Sequence, residues 1–122
     1  MTNLTLETLE NLKANFQANI EWDEEEAFIT GTGSEIIEWI TEKCKEIAKT
    51  ENCILETSAH EYPLNFSDDG EFIDFQVQVE SNISNENDII AMFSNYGLDV
   101  IFFDYDDEEN KSYFTAYTSI TI

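Results

Sequence analysis

Residues 71–80 read Glu-Phe-Ile-Asp-Phe-Gln-Val-Gln-Val-Glu, and this alternation limits the possible folds more than any other stretch. Ile73, Phe75, Val77 and Val79 fall on one side of an extended chain, and Asp74, Gln76, Gln78 and Glu80 on the other. A period of two with one apolar and one polar side predicts a strand in a sheet covered on one face and open on the other. Residues 112–122 alternate in the same way, with Phe114, Ala116, Ile120 and Ile122 against Tyr113, Thr115, Tyr117 and Thr121.

The apolar face of such a sheet needs a cover, and three helical patterns supply it. Over residues 5–18, Leu9, Leu12 and Phe16 share a face with Leu6 at its edge. Thr32-Gly33-Ser34-Glu35 has the spacing of a capping box and predicts a helix running to about residue 49. At about 100° per residue, Ile36, Ile37, Ile40, Cys44, Ile47 and Ala48 of that helix lie in one narrow sector. Trp39 lands on the flank of the acidic side formed by Glu35, Glu42 and Glu46, where two readings stay open: packing beneath another element, or an exposed aromatic anchor. Ser84 can cap a third helix, with Ile89, Ile90 and Phe93 inward and Gly97 at its stop.

The remaining strand signals are residues 28–30, residues 53–62 and the mostly apolar run 98–103, expected to be central. Pro63 suits an edge strand because it cannot donate to a ladder. Asp68-Asp69-Gly70 predicts a tight turn. The acids at 23–26 read as a loop, and the pairing of residues 20–22 back onto 28–30 is open. From residue 27 the order is strand, helix, strand, strand, helix, strand, strand, whose middle is the split βαβ arrangement of ferredoxin-like domains. The expected fold is one α+β domain over residues 1–122. It has a ferredoxin-like antiparallel sheet, an N-terminal helix, and an extra C-terminal strand beside 98–103. Its helices lie mainly on one face.

Charge decides which functions are open to such a domain. Its 122 residues carry 27 acids against five lysines and no arginine, a formal net charge of −22. A compact chain of this length is roughly 35 Å across, and duplex DNA carries about 22 charges in roughly 37 Å of axis. The two charge densities are comparable, so direct nucleic-acid binding is excluded and competition with nucleic acid for a basic groove is not. The open face carries aromatics without basic residues, which removes base stacking of the kind used by RNA-binding domains on this architecture.

Catalytic and metal motifs give nothing stronger. His60 is the single histidine, and no serine or cysteine has motif spacing to suggest a nucleophile–base pair. Residues 104–115 resemble a calcium loop superficially, but Glu109 stands where the turn needs glycine and Thr115 where a bidentate carboxylate is needed. Cys44 and Cys53 lack metal spacing and read as reduced core thiols. With no phosphate-cradling glycine loop either, the expectation is no enzyme, no cofactor and no metal. No run approaches the roughly 18 apolar residues of a membrane span, and a cytoplasmic monomer is expected.

The acids fall in three groups: Glu21 with Asp23, Glu24, Glu25 and Glu26; Glu35, Glu38, Glu42 and Glu46 on one helix; and Asp104, Asp106, Asp107, Glu108 and Glu109, five carboxylates in six residues between two strands. A small, strongly acidic α+β domain without an enzymatic motif resembles the nucleic-acid-mimicking inhibitors of phages and mobile elements, including anti-CRISPR and antirestriction proteins. The resemblance covers the whole chain at the level of composition and architecture. It implies stoichiometric blocking of the basic groove of a nuclease or effector complex in a bacterial host. The hairpin acids would be the main contact and Asp23–Glu26 a second, with Glu42 and Glu46 contributing and Tyr105 and Trp39 as anchors. Asp106→Lys with Glu108→Lys is then expected to abolish binding without unfolding the domain. Two alternatives share the same features: an immunity protein against a basic nuclease toxin, and an acidic module binding calcium or polyamine.

Overall fold

In the computed structural model, which describes residues 5–18, 31–68 and 71–121, the alternating segment is a strand at the heart of a four-stranded antiparallel sheet. The elements run α1 (Leu6–Ala18), α2 (Gly31–Glu51), β1 (Leu55–Phe66), β2 (Phe72–Ser81), α3 (Glu86–Ser94), β3 (Asp99–Asp106) and β4 (Lys111–Thr121). The sheet order is β1-β2-β4-β3. The protein is α+β with a ferredoxin-like sheet, an N-terminal helix and an extra C-terminal strand.

That last strand lies beside β3, as expected, and it also pairs with β2 from Phe72↔Thr121 to Ser81↔Ser112. It therefore fills the position between β2 and β3 that a split βαβ unit gives to its first strand. The segment expected to be a strand at residues 28–30 lies outside the described residues, as does the region of the open hairpin question at 20–22. One consequence corrects the sequence reading. With β4 central, the apolar run 98–103 belongs to an edge strand among the described residues, and its ladder to β4 breaks between Ile101 and Asp104. β1 forms the other edge, and its own irregularity between Ala59 and Leu64 contains Pro63. His60 Nδ1 accepts the Tyr62 N–H there at 3.0 Å, so the sole histidine serves the bulged backbone.

Alternation translates into burial on the helix side, but Gln76 and Thr115, expected on the solvated side, are buried as well. Ile73, Phe75, Val77 and Val79 of β2 and Phe114, Ala116 and Ile120 of β4 are buried beneath the helices. Ile36, Ile40, Cys44 and Ile47 meet them from α2, Ile89 and Phe93 from α3, and Leu9 and Phe16 from α1. Each such side chain contributes roughly 1.5–3 kcal/mol on leaving water. Edge-to-face ring contacts join the layers, Phe16 to Phe75 at 5.0 Å and Phe93 to Phe114 at 5.3 Å. Cys44 is a free core thiol that burial pushes up to about 12, and Cys53 is free and partly buried.

Local signals fare unevenly. Thr5 caps α1 through its hydroxyl, which accepts the Thr8 N–H. α2 already starts at Gly31, so Thr32 stands inside its first turn rather than at a cap. Asn85, not Ser84, caps α3 by accepting the Asp88 N–H, and Ile90 is exposed where it was expected inward. On so short a helix Ile89 and Phe93 are the buried residues, and Ile90 is one step around from them. Residues 69 and 70 of the predicted turn lie outside the described residues; Ser67 holds the hairpin from the near side, accepting the Glu71 and Phe72 N–H groups.

Gly97 follows α3 with φ +81°, where a Cβ would run into Leu6 Cδ2. Leu6 is half-exposed and free to swing aside, so backbone conformation sets the penalty. Gly97→Ala is expected to cost about 1–2 kcal/mol, the usual penalty for an L-residue in the left-handed region, read as a lowered urea midpoint with unchanged slope.

Candidate functional site

The β3–β4 hairpin turns through residues 107–110. Asp106 organises it, its Oδ1 accepting the N–H groups of Glu108 at 3.0 Å and Glu109 at 3.4 Å. Asn110 takes a positive φ of 54°, a conformation asparagine tolerates, and accepts the Tyr105 hydroxyl at 3.3 Å. Tyr105 is half-buried and braces the turn.

Of the predicted residues, the structure brings Asp104, Asp106, Asp107, Glu108 and Glu109 together at this one end. The single lysine of the hairpin turns away from them: Lys111 Nζ reaches Glu80 Oε1 at 3.5 Å. Among the described residues no cation lies within ion-pair distance of Asp104, Asp107, Glu108 or Glu109.

The acidic helix face is different in kind. Glu42 pairs with Lys45 at 3.0 Å and Glu46 with Lys43 at 3.3 Å, and both belong to the helix layer, across the sheet from its open face. Their charge is half-answered locally, and the Glu42–Lys45 pair, exposed on both sides, contributes little either way. Trp39 is 2% exposed, which overturns the anchor reading and leaves the packed one. Its neighbour is Lys43, buried on the same side of α2, with Nζ 5.7 Å from the Trp39 ring and 5.2 Å from that of Tyr96. α2 packs against α1 as well as the sheet, so its buried face is wider than the narrow sector predicted. Asp23, Glu24, Glu25 and Glu26 lie outside the described residues.

Register extends the hairpin cluster across the open face. Glu56 faces Glu80, Glu80 faces Tyr113, and Tyr113 faces Asp104, one residue from each strand in sheet order. Two glutamates directly opposite each other are destabilising, and Glu56 has no ion pair among the described residues. The Tyr113 hydroxyl donates to Glu109 Oε2 at 3.3 Å, tying this row to the hairpin turn. Partial burial first, then the Glu109 and Glu80 carboxylates, push the Tyr113 phenol up to about 12. Burial, then Asp99 and Asp74, raise that of Tyr117 four residues along. Asp74 in turn accepts the Ser119 hydroxyl.

Sequence reasoning placed Glu80 and Tyr113 on this face but not opposite each other, and it missed Glu56 and Phe102. Phe102 is 77% exposed with φ +56° in the break of the β3 ladder. The available signal was a lapse in alternation, since Ile101 and Asp104 share the open face three residues apart instead of two.

The phenol titration is directly testable. One tyrosine should deprotonate near pH 12 rather than the ordinary value of about 10, and Glu109→Gln should bring it part of the way back in a phenolate absorbance titration. Because the folded pKa lies above the unfolded one, this group's contribution to stability is complete below about pH 10 and is lost as pH rises towards 12.

Among the described residues no three His, Cys, Asp or Glu side chains are grouped to hold a metal ion. The loop from residue 104 is flanked by strands rather than helices. No described helix is long and apolar enough to cross a membrane. No protein-family model, curated protein or solved structure matches the chain.

Proposed function

We propose that this protein is a stoichiometric inhibitor that imitates the charge of nucleic acid and blocks the basic groove of a nuclease or of a CRISPR or restriction effector. The observation that carries this reading is the uncompensated hairpin: five acids in six residues whose one lysine is engaged elsewhere, on Glu80. Solubility alone is served by interspersed charge, and the α2 face with its glutamate–lysine pairs is an example. A hairpin tip without counter-charge keeps its field for an incoming cation, and a basic groove is the surface that such a field steers fastest. The carboxylates stand where phosphates would, and the groove's usual ligand is excluded.

The test is capture from a bacterial lysate at low salt, challenged with duplex DNA. The expected result is a nucleic-acid-binding protein that DNA displaces and that is released steeply as salt rises. A captured protein that saturating DNA leaves in place, or the absence of any nucleic-acid-handling protein, overturns the proposal.

A further inference from the structure

On the open face, Phe102 and Tyr113 line a groove of about 530 Å³ whose other walls include Glu56, Glu80, Ser58 and Gln78. Three features meet in it that folding alone does not ask for. A phenylalanine is held out to solvent in a left-handed backbone conformation, which bulky residues avoid. Two glutamates face each other across β1 and β2. Glu80 already pairs with a cation, Lys111 Nζ at 3.5 Å.

We propose that this groove seats an arginine side chain of the partner protein, its guanidinium lying against the Phe102 and Tyr113 rings and bonded to Glu56 and Glu80. The inference rests on the inhibitor reading in taking the partner to be a cationic protein. Charge complementarity alone would admit lysine. The aromatic walls select between the two, because a planar, weakly hydrated guanidinium stacks on rings and bonds two acceptors at once, whereas an ammonium holds its water. The hairpin acids then supply attraction at long range, and the groove supplies the choice of cation.

The probes are capped hexa-arginine and hexa-lysine peptides titrated at low salt into the full chain, followed by the ring resonances of Phe102 and Tyr113. The arginine peptide should shift both rings and bind about three- to tenfold more tightly than the lysine peptide. Phe102→Asn should erase that preference while keeping the fold, since asparagine tolerates the left-handed conformation. Asp107→Lys with Glu108→Lys should weaken both peptides alike and leave the preference standing. Equal affinities, shifts confined to residues 107–110, or a preference that survives Phe102→Asn overturn the assignment. The two readings fail separately. If Phe102→Asn leaves DNA-competed capture of the partner unchanged, the groove is unused and the inhibitor stands. If the arginine preference is present but no nucleic-acid-binding protein is captured, the guanidinium site stands without the inhibitor.

Discussion

Asp107→Lys combined with Glu108→Lys is expected to abolish partner binding and leave thermal unfolding unchanged or slightly improved. Both residues are exposed in the turn, and neither makes a hydrogen bond through its side chain among the described residues. Under the proposed function, reversing them sets lysines against a basic groove, and like-charge juxtaposition at an interface costs several kcal/mol. That corresponds to a loss of at least about a hundredfold in affinity. Stability should not suffer, because two fewer negative and two more positive charges relieve a chain at −22. Titration calorimetry against the captured protein, with a melting curve beside it, reads both quantities. Affinity retained within about threefold would mean that the hairpin is merely solvated.

The choice of residues shows what sequence reading does and does not reach. Asp106→Lys with Glu108→Lys is the pair suggested by the acidic run alone. In the folded hairpin, however, Asp106 is the acceptor for two turn amides, and replacing it leaves those donors unmet as well as removing a charge. A loss of binding in that variant would mix hairpin disorder with electrostatics. Asp107 and Glu108 separate the two effects.

The same distinction runs through the whole molecule. Faces were legible because a period of two or 3.6 is a local property: β2 and β4 bury the apolar residues that their alternation marked, and α2 buries Ile36, Ile40 and Ile47, with Ile37 partly buried. Neighbours were not legible. That Glu56 meets Glu80 depends on the register between two strands, and that Trp39 is covered depends on α2 having more than the sheet to pack against. The slot of β4 between β2 and β3 is likewise a matter of tertiary pairing; its sequence is compatible with an edge or a centre. The candidate site follows this division. Its charge is written in one run of six residues, while its aromatic groove comes from a break in the β3 ladder that brings Phe102 beside Tyr113.

Phe75→Ala should be the most damaging single truncation among these residues, and its response to salt tests the premise of the proposed function. Phe75 is fully buried on a central strand and meets Phe16 edge-to-face, so its ring also anchors α1 to the sheet. Deleting such a ring costs about 3–5 kcal/mol, against total stabilities of roughly 5–15 kcal/mol for domains of ordinary charge. Here the folded state also carries the repulsion of −22, which is least screened at low ionic strength. The variant is therefore expected to be substantially unfolded at low salt by circular dichroism. It should recover helix and strand signal as sodium chloride shortens the Debye length from about 30 Å at 0.01 M to about 10 Å at 0.1 M. A loss below about 1.5 kcal/mol would remove Phe75 from the core that joins α1 to the sheet. If stability falls as expected but salt restores nothing, the carboxylates cost the fold little. Their abundance would then need no use to explain it. If salt does restore the fold, the protein keeps at a real energetic penalty a field that its own structure does not need.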